Sequence, residues 1–112
     1  HGTATQYNDA AEAKAINDVF SDHASAIPVS SIKPMIGHLL GGAGTVEAIA
    51  TILAMNNSFL PINLNYNTID PECAVNVVSC STQKTVSTAI SNSFGFGGVN
   101  ATLVIQKYES RI

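Results

Sequence analysis

The chain has 112 residues, 46% of them hydrophobic and only 12% charged, with a formal net charge of -3. That length allows one domain with a modest core. The five basic residues form no cluster that could neutralise phosphates, which excludes nucleic acid and, by the same argument, an anionic membrane surface as partners. The charged share is about half the roughly 25% usual in globular domains, so much of the surface is expected to be buried against further chain or another subunit.

The chain opens on His1-Gly2-Thr3-Ala4-Thr5, a histidine beside a glycine and two hydroxyls. A helix is predicted from Asn8-Asp9, with Asp9 as cap and Glu12 completing a D-x-x-E box. Ala13, Ile16, Val19 and Phe20 share one face of it at helical spacing. Pro28 to Ile32 reads as a short strand. Ser31-Ile32-Lys33-Pro34-Met35-Ile36-Gly37-His38 follows, placing a lysine and a histidine in apolar company, where such groups are costly without partners or a role.

Gly37 to Ala43 is a loop turning into a long helix that ends near Asn57. Val46, Ile49, Ala50 and Leu53 mark one face and Ile52 and Met55 the other. A helix apolar nearly all round is a buried one, so this segment is predicted to be central and flanked by other layers. The small residues Gly41, Gly42, Ala43 and Gly44 admit a close neighbour. Ala48 to Ile69 carries no charge, but its asparagines and Pro61 exclude a membrane span.

Phe59 to Thr68 is extended, Asn-rich and expected to wrap over a surface. Ala74 to Val78, Thr85 to Ser91 and Ala101 to Lys107 read as strands, the last two joined by a tight turn at Gly95-Phe96-Gly97-Gly98. Glu109 to Ile112 reads as a natural end or short linker, and the start, which lacks Met and a signal segment, as a cut.

Three other chemistries fail on particular residues. Gly42 is followed by Ala43, so the lysine of a phosphate loop is missing. The third glycine of a dinucleotide turn starting at Gly95 falls on Asn100, before a strand rather than a helix. His1, His23, His38, Cys73 and Cys80 lack zinc-ligand spacing, so no catalytic metal is expected. Cys73 and Cys80 read as free thiols. Taken singly, His38 reads as a satisfied core residue, Lys33 as a solvated lysine and His1 as a frayed end; their combination reverses that reading.

The segments at His1–Thr5 with Asn8-Asp9, at Ser31–His38 and at Asn92-Ser93-Phe94-Gly95-Phe96-Gly97-Gly98-Val99-Asn100 together resemble the β-ketoacyl-acyl-carrier-protein synthases, the condensing enzymes of fatty-acid and related polyketide synthesis. The resemblance covers nearly the whole chain and corresponds to the last quarter of such an enzyme, residues 1–112 forming one C-terminal part. It implies an α/β, thiolase-like fold layered α-β-α-β-α, with this chain supplying most of the second half. The half that keeps the family's nucleophilic cysteine is absent, and neither Cys73 nor Cys80 has a matching context, so this chain alone is expected to be inactive.

By that resemblance His1 and His38 donate hydrogen bonds to the oxygen that gains charge during decarboxylation, and Lys33 orients or polarises the site around His38. Phe96 matches a gating residue whose backbone N–H forms half of an oxyanion hole, in a loop that Gly95, Gly97 and Gly98 let bend. Thr3 and Thr5 match the pantetheine tunnel, and Glu47, Ser91 and Asn92 a structural polar or cation site. The implied partners are acyl carrier protein, the remaining half of the enzyme and a second ketosynthase subunit in a homodimer or heterodimer. No cofactor is implied beyond the phosphopantetheine arm carrying the substrates. The implied compartment is the cytoplasm, or a plastid or organelle stroma in a eukaryote. Two alternatives stay open: a non-condensing partner subunit (chain-length factor or decarboxylase), and a carrier-protein-binding module.

Overall fold

Helix α1 runs from Asn8 to Phe20 in the computed structural model, which describes residues 1–109. It turns Glu12, Ala13 and Ile16 inward. Val19, expected on the same face, stays 73% exposed. The capping box is not formed: Asp9 lies inside the helix, and Tyr7, the residue before it, makes no side-chain cap. Asp9 instead accepts the Ala4 N–H at 3.2 Å, and Glu12 is drawn away to the first two residues of the chain. A 3-10 segment, Ser21–Ala26, ends the unit.

The expected strands at 28–32 and 74–78 shrink to a single parallel bridge between Val29 and Val77. Side chains end the ladder: Ser30 Oγ donates to the Pro61 carbonyl and the Ser31 N–H donates to Asn63 Oδ1. The chain then winds into the short helix α2, Lys33–Ile36, passes through a 3-10 turn at Leu40–Gly42 and enters α3, Ala43–Asn56. Close approach at the start of α3 is real at Gly44, where a Cβ would lie 3.3 Å from Ser93 Oγ.

Strand β1, Phe59–Leu60, pairs antiparallel with β2, Thr82–Gln83, a two-residue strand that carries no sequence signal. The segment after β1 is extended as expected and docks through the Asn63 N–H on the Val78 carbonyl. Strands β3, Thr88–Phe94, and β4, Asn100–Gln106, form an antiparallel hairpin in the register Thr88↔Gln106 to Phe94↔Asn100. β3 begins three residues later than predicted and continues through Phe94. Residues 110–112 of the segment expected to be a natural end or short linker lie outside the described residues.

α3 packs on β1 and β3, which covers one side of it. Its other side leaves Ile49, Ile52 and Leu53 exposed, so the flanking layers expected around this helix are only partly present. Leu103 and Val104, neighbours on β4 that point to opposite faces, are both exposed as well. A strand apolar on both faces belongs to a sheet covered on both sides. Burial of a Leu, Ile or Val is worth about 1.5–3 kcal/mol, so these surfaces favour further cover. Among the described residues, no helix is long and apolar enough to cross a membrane.

Candidate active site

The start of the chain, the turn after α2 and the end of β3 converge on two imidazoles. The His1 and His38 rings meet edge to face, with centroids 5.3 Å apart and planes at 85°. His1 also rests on Phe94, at 5.4 Å between centroids. Phe94 went unrecognised in the sequence. The signal available was the alternation of β3, which sends Asn92 and Phe94 to one face.

His38 has a defined tautomer. Its Nδ1 accepts the Leu40 N–H at 3.0 Å, which leaves Nε2 as the N–H donor of the neutral ring. The backbone reaches this geometry through a left-handed Leu40, φ 51°, a conformation costing about 1–3 kcal/mol in a residue with a side chain. His1 Nδ1 is buried and has no hydrogen-bond partner among the described residues.

Lys33 is buried, and its Nζ donates to the His1 carbonyl at 2.5 Å and pairs with Glu47 Oε1. Lys33 thus holds the backbone of the histidine whose ring meets His38. Glu47, Ser91 and Asn92 all line a cavity of about 630 Å³, together with His1 and Glu12. No hydrogen bond joins the three to one another, because Glu47 is engaged by Lys33 while Asn92 spans Glu12 and Thr102. Among the described residues no group of three His, Cys, Asp or Glu side chains could hold a metal ion.

Glu12 is the central acceptor that sequence reasoning misassigned. Its carboxylate takes the nitrogen of His1 at 2.7 Å, the Gly2 N–H at 2.9 Å and the Asn92 amide at 3.2 Å. Burial raises its pKa, and the hydrogen bonds from the Gly2 N–H and the Asn92 amide lower it. An acidic residue one place before inward-facing Ala13, on the buried side of α1, was the available clue.

The Thr3 and Thr5 hydroxyls lie 3.0 Å apart and bond to each other. Such a pair still presents one free O–H and spare lone pairs. Phe96, two residues beyond Phe94, is 97% exposed in a single 3-10 turn. Gly97 and Gly98 do adopt positive φ, 77° and 79°. Gly95 does not (φ -104°); its missing side chain makes room for the Val99 carbonyl, 3.1 Å from where a Cβ would sit.

Comparison with known proteins identifies the family. The family described as "Beta-ketoacyl synthase, C-terminal domain" matches residues 1–67, and the chain belongs to that family. It is 46% identical over 110 residues to 3-oxoacyl-[acyl-carrier-protein] synthase 2 of Synechocystis, covering 97% of this chain and 26% of the relative. The mitochondrial 3-oxoacyl-[acyl-carrier-protein] synthase of Arabidopsis thaliana is 48% identical over 108 residues, covering 93% of this chain and 23% of the relative. Among solved structures, a type II PKS acyl-carrier protein in complex with its ketosynthase bound to the hexaketide superimposes with a TM-score of 0.93 at 32% identity, covering 96% of this chain and 27% of that one. The fold is the α/β, thiolase-like fold of ketosynthases. The chain spans about a quarter of the length of the curated relatives it matches.

Proposed function

We propose that the enzyme carrying this chain is a 3-oxoacyl-acyl-carrier-protein synthase, joining an acyl thioester to malonyl carrier protein by decarboxylative Claisen condensation. The observation that carries this reading is the His1–His38 pair with its Nε2–H on His38.

In this reaction the malonyl C–C bond to the carboxylate breaks and carbon dioxide leaves. The electron pair passes to the thioester as an enolate, whose carbon attacks the acyl group held on a cysteine. The cysteine thiolate leaves and the 3-oxoacyl chain remains on the carrier. Two imidazole N–H donors aimed at the enolate oxygen stabilise the charge as it develops, and do so best where water is excluded. Lys33 holds the His1 carbonyl and Glu12 the Gly2 N–H beside it, which fixes one donor before the charge appears. Phe96 acts as the gate and its N–H as an oxyanion donor, with the Thr3–Thr5 pair facing the amides of the pantetheine arm.

Acyl carrier protein is the partner this chemistry requires, and the similarity to a ketosynthase in complex with its carrier protein supports it. The cysteine comes from sequence outside this chain, and a ketosynthase subunit pair in a soluble compartment of the cell completes the assembly. No cofactor enters the reaction.

The test is His38→Ala in the full-length enzyme. Decarboxylation of malonyl carrier protein falls about 10²–10³-fold, the cost of one lost oxyanion donor, while acyl transfer to the cysteine is at least partly kept. Equal loss of both steps would remove the donor role. A full-length enzyme that binds carrier protein but neither decarboxylates nor condenses would be the partner subunit or binding module instead.

A further inference from the structure

Three main-chain polar groups of the His1-Gly2 pair are held by side chains. Glu12 accepts the Gly2 N–H at 2.9 Å, and Lys33 Nζ donates to the His1 carbonyl at 2.5 Å. The third, the Gly2 carbonyl, accepts from Ser31 Oγ at 3.1 Å. Ser31 differs from the other two holders in being uncharged and in touching both sides of the site. The same Oγ accepts the Lys33 N–H at 3.2 Å, at the start of α2. Its own N–H is anchored on Asn63 Oδ1 at 2.9 Å, from the segment after β1.

The contact is close as well as polar. Gly2 has a φ of 52°, and a Cβ on it would lie 2.6 Å from Ser31 Cβ. The main chain behind His1 therefore lies directly against the Ser31 side chain. One hydroxyl ties the segment presenting His1 to the segment carrying Lys33, and through Asn63 ties both to a third part of the chain.

We infer that Ser31 is a positioning residue for the decarboxylation step, acting through the Gly2 carbonyl on the placement of the His1 imidazole. This rests on the functional reading above. The His1 ring is fixed by its backbone and by contacts with His38 and Phe94, with no hydrogen bond to Nδ1 among the described residues. Loosening the Gly2 carbonyl therefore shifts the backbone that carries this donor. A misplacement of about 1 Å in a catalytic group costs on the order of 10²-fold in rate.

The experiment uses the full-length enzyme with Ser31→Ala, Ser31→Thr and Asn63→Ala, measuring carbon dioxide release from malonyl carrier protein and acyl transfer to the cysteine separately. Ser31→Ala is expected to lower kcat for decarboxylation about tenfold or more, with KM for malonyl carrier protein and the rate of acyl transfer kept. Ser31→Thr, which retains the hydroxyl, recovers most of that loss, and Asn63→Ala falls between. A merely structural serine would lower both steps together through a smaller active fraction. The inference is overturned if Ser31→Ala decarboxylates like the unaltered enzyme, if transfer falls in step with decarboxylation, or if Ser31→Thr is no better than Ser31→Ala. An unaltered enzyme that releases no carbon dioxide overturns the functional reading, and this role of Ser31 with it.

Discussion

The Leu40 N–H donates to His38 Nδ1 at 3.0 Å, so a main-chain group two residues downstream sets which ring nitrogen of His38 can donate. The neighbouring His1 ring stands at 85° to it. Replacing His38 with Nε2-methylhistidine should keep the Leu40 contact and remove the outward donor. Decarboxylation should then fall as far as in His38→Ala, within the 10²–10³-fold range of a lost oxyanion donor. Carbon dioxide release from malonyl carrier protein measures it, and near-normal release would show that Nε2 is not the donor.

Lys33 and Glu47 form a buried ion pair, their side chains 6% and 14% exposed. Lys33→Met leaves the Glu47 carboxylate without its cation and should destabilise the full-length enzyme by about 3–5 kcal/mol. Removing both charges, in Lys33→Met with Glu47→Gln, should cost less than Lys33→Met alone. Denaturant unfolding of the three proteins checks this. A double variant less stable than the single one would contradict the pairing.

In the full-length enzyme Phe96→Ala should slow condensation, since the side chain is the proposed gate, while the backbone N–H is untouched. Single-turnover acyl transfer checks it. Unchanged turnover would remove the gate.

The two free thiols should differ in reactivity. Partial burial and the neighbouring carboxylates Asp70, Asp9 and Glu72 push the Cys73 pKa above its ordinary 9.0. Since only the thiolate reacts, Cys73 should alkylate slowly at neutral pH and faster as pH rises toward that raised value. Exposed Cys80 should be labelled first. Peptide mapping after iodoacetamide treatment at several pH values tests the order, and prompt labelling of Cys73 at neutral pH would contradict it.

The purified 112-residue chain should form no ketoacyl product from acyl and malonyl carrier proteins, because neither Cys73 nor Cys80 stands at the histidine pair. Product formed by this chain alone would require another nucleophile.

The histidine pair was legible because motif residues far apart in sequence had to be read together. Composition also gave fair warning, in its shortage of charge, of the open faces on α3 and β4. Glu12 was misread because D-x-x-E at a helix start is locally indistinguishable from a cap. Only the folded chain brings residues 1 and 2 within reach of its carboxylate. The strands expected at 28–32 and 74–78 failed for a related reason: the Asn63 side chain takes up the Ser31 N–H that a ladder would have used. The bond from Lys33 to the His1 carbonyl was not legible, since the two residues are 32 positions apart in sequence.

Gly2 and Gly97 share a positive φ but differ in surroundings. At Gly97, with φ 77° and ψ 11°, nothing lies within 4 Å of an added Cβ, and asparagine, which visits that region readily, fits the fold. At Gly2 the angle and the wall of Ser31 act together, and even Ser31→Gly would lift only one of the two restrictions. A saturation library at codon 2 should therefore return a single letter, while codon 97 drifts more freely.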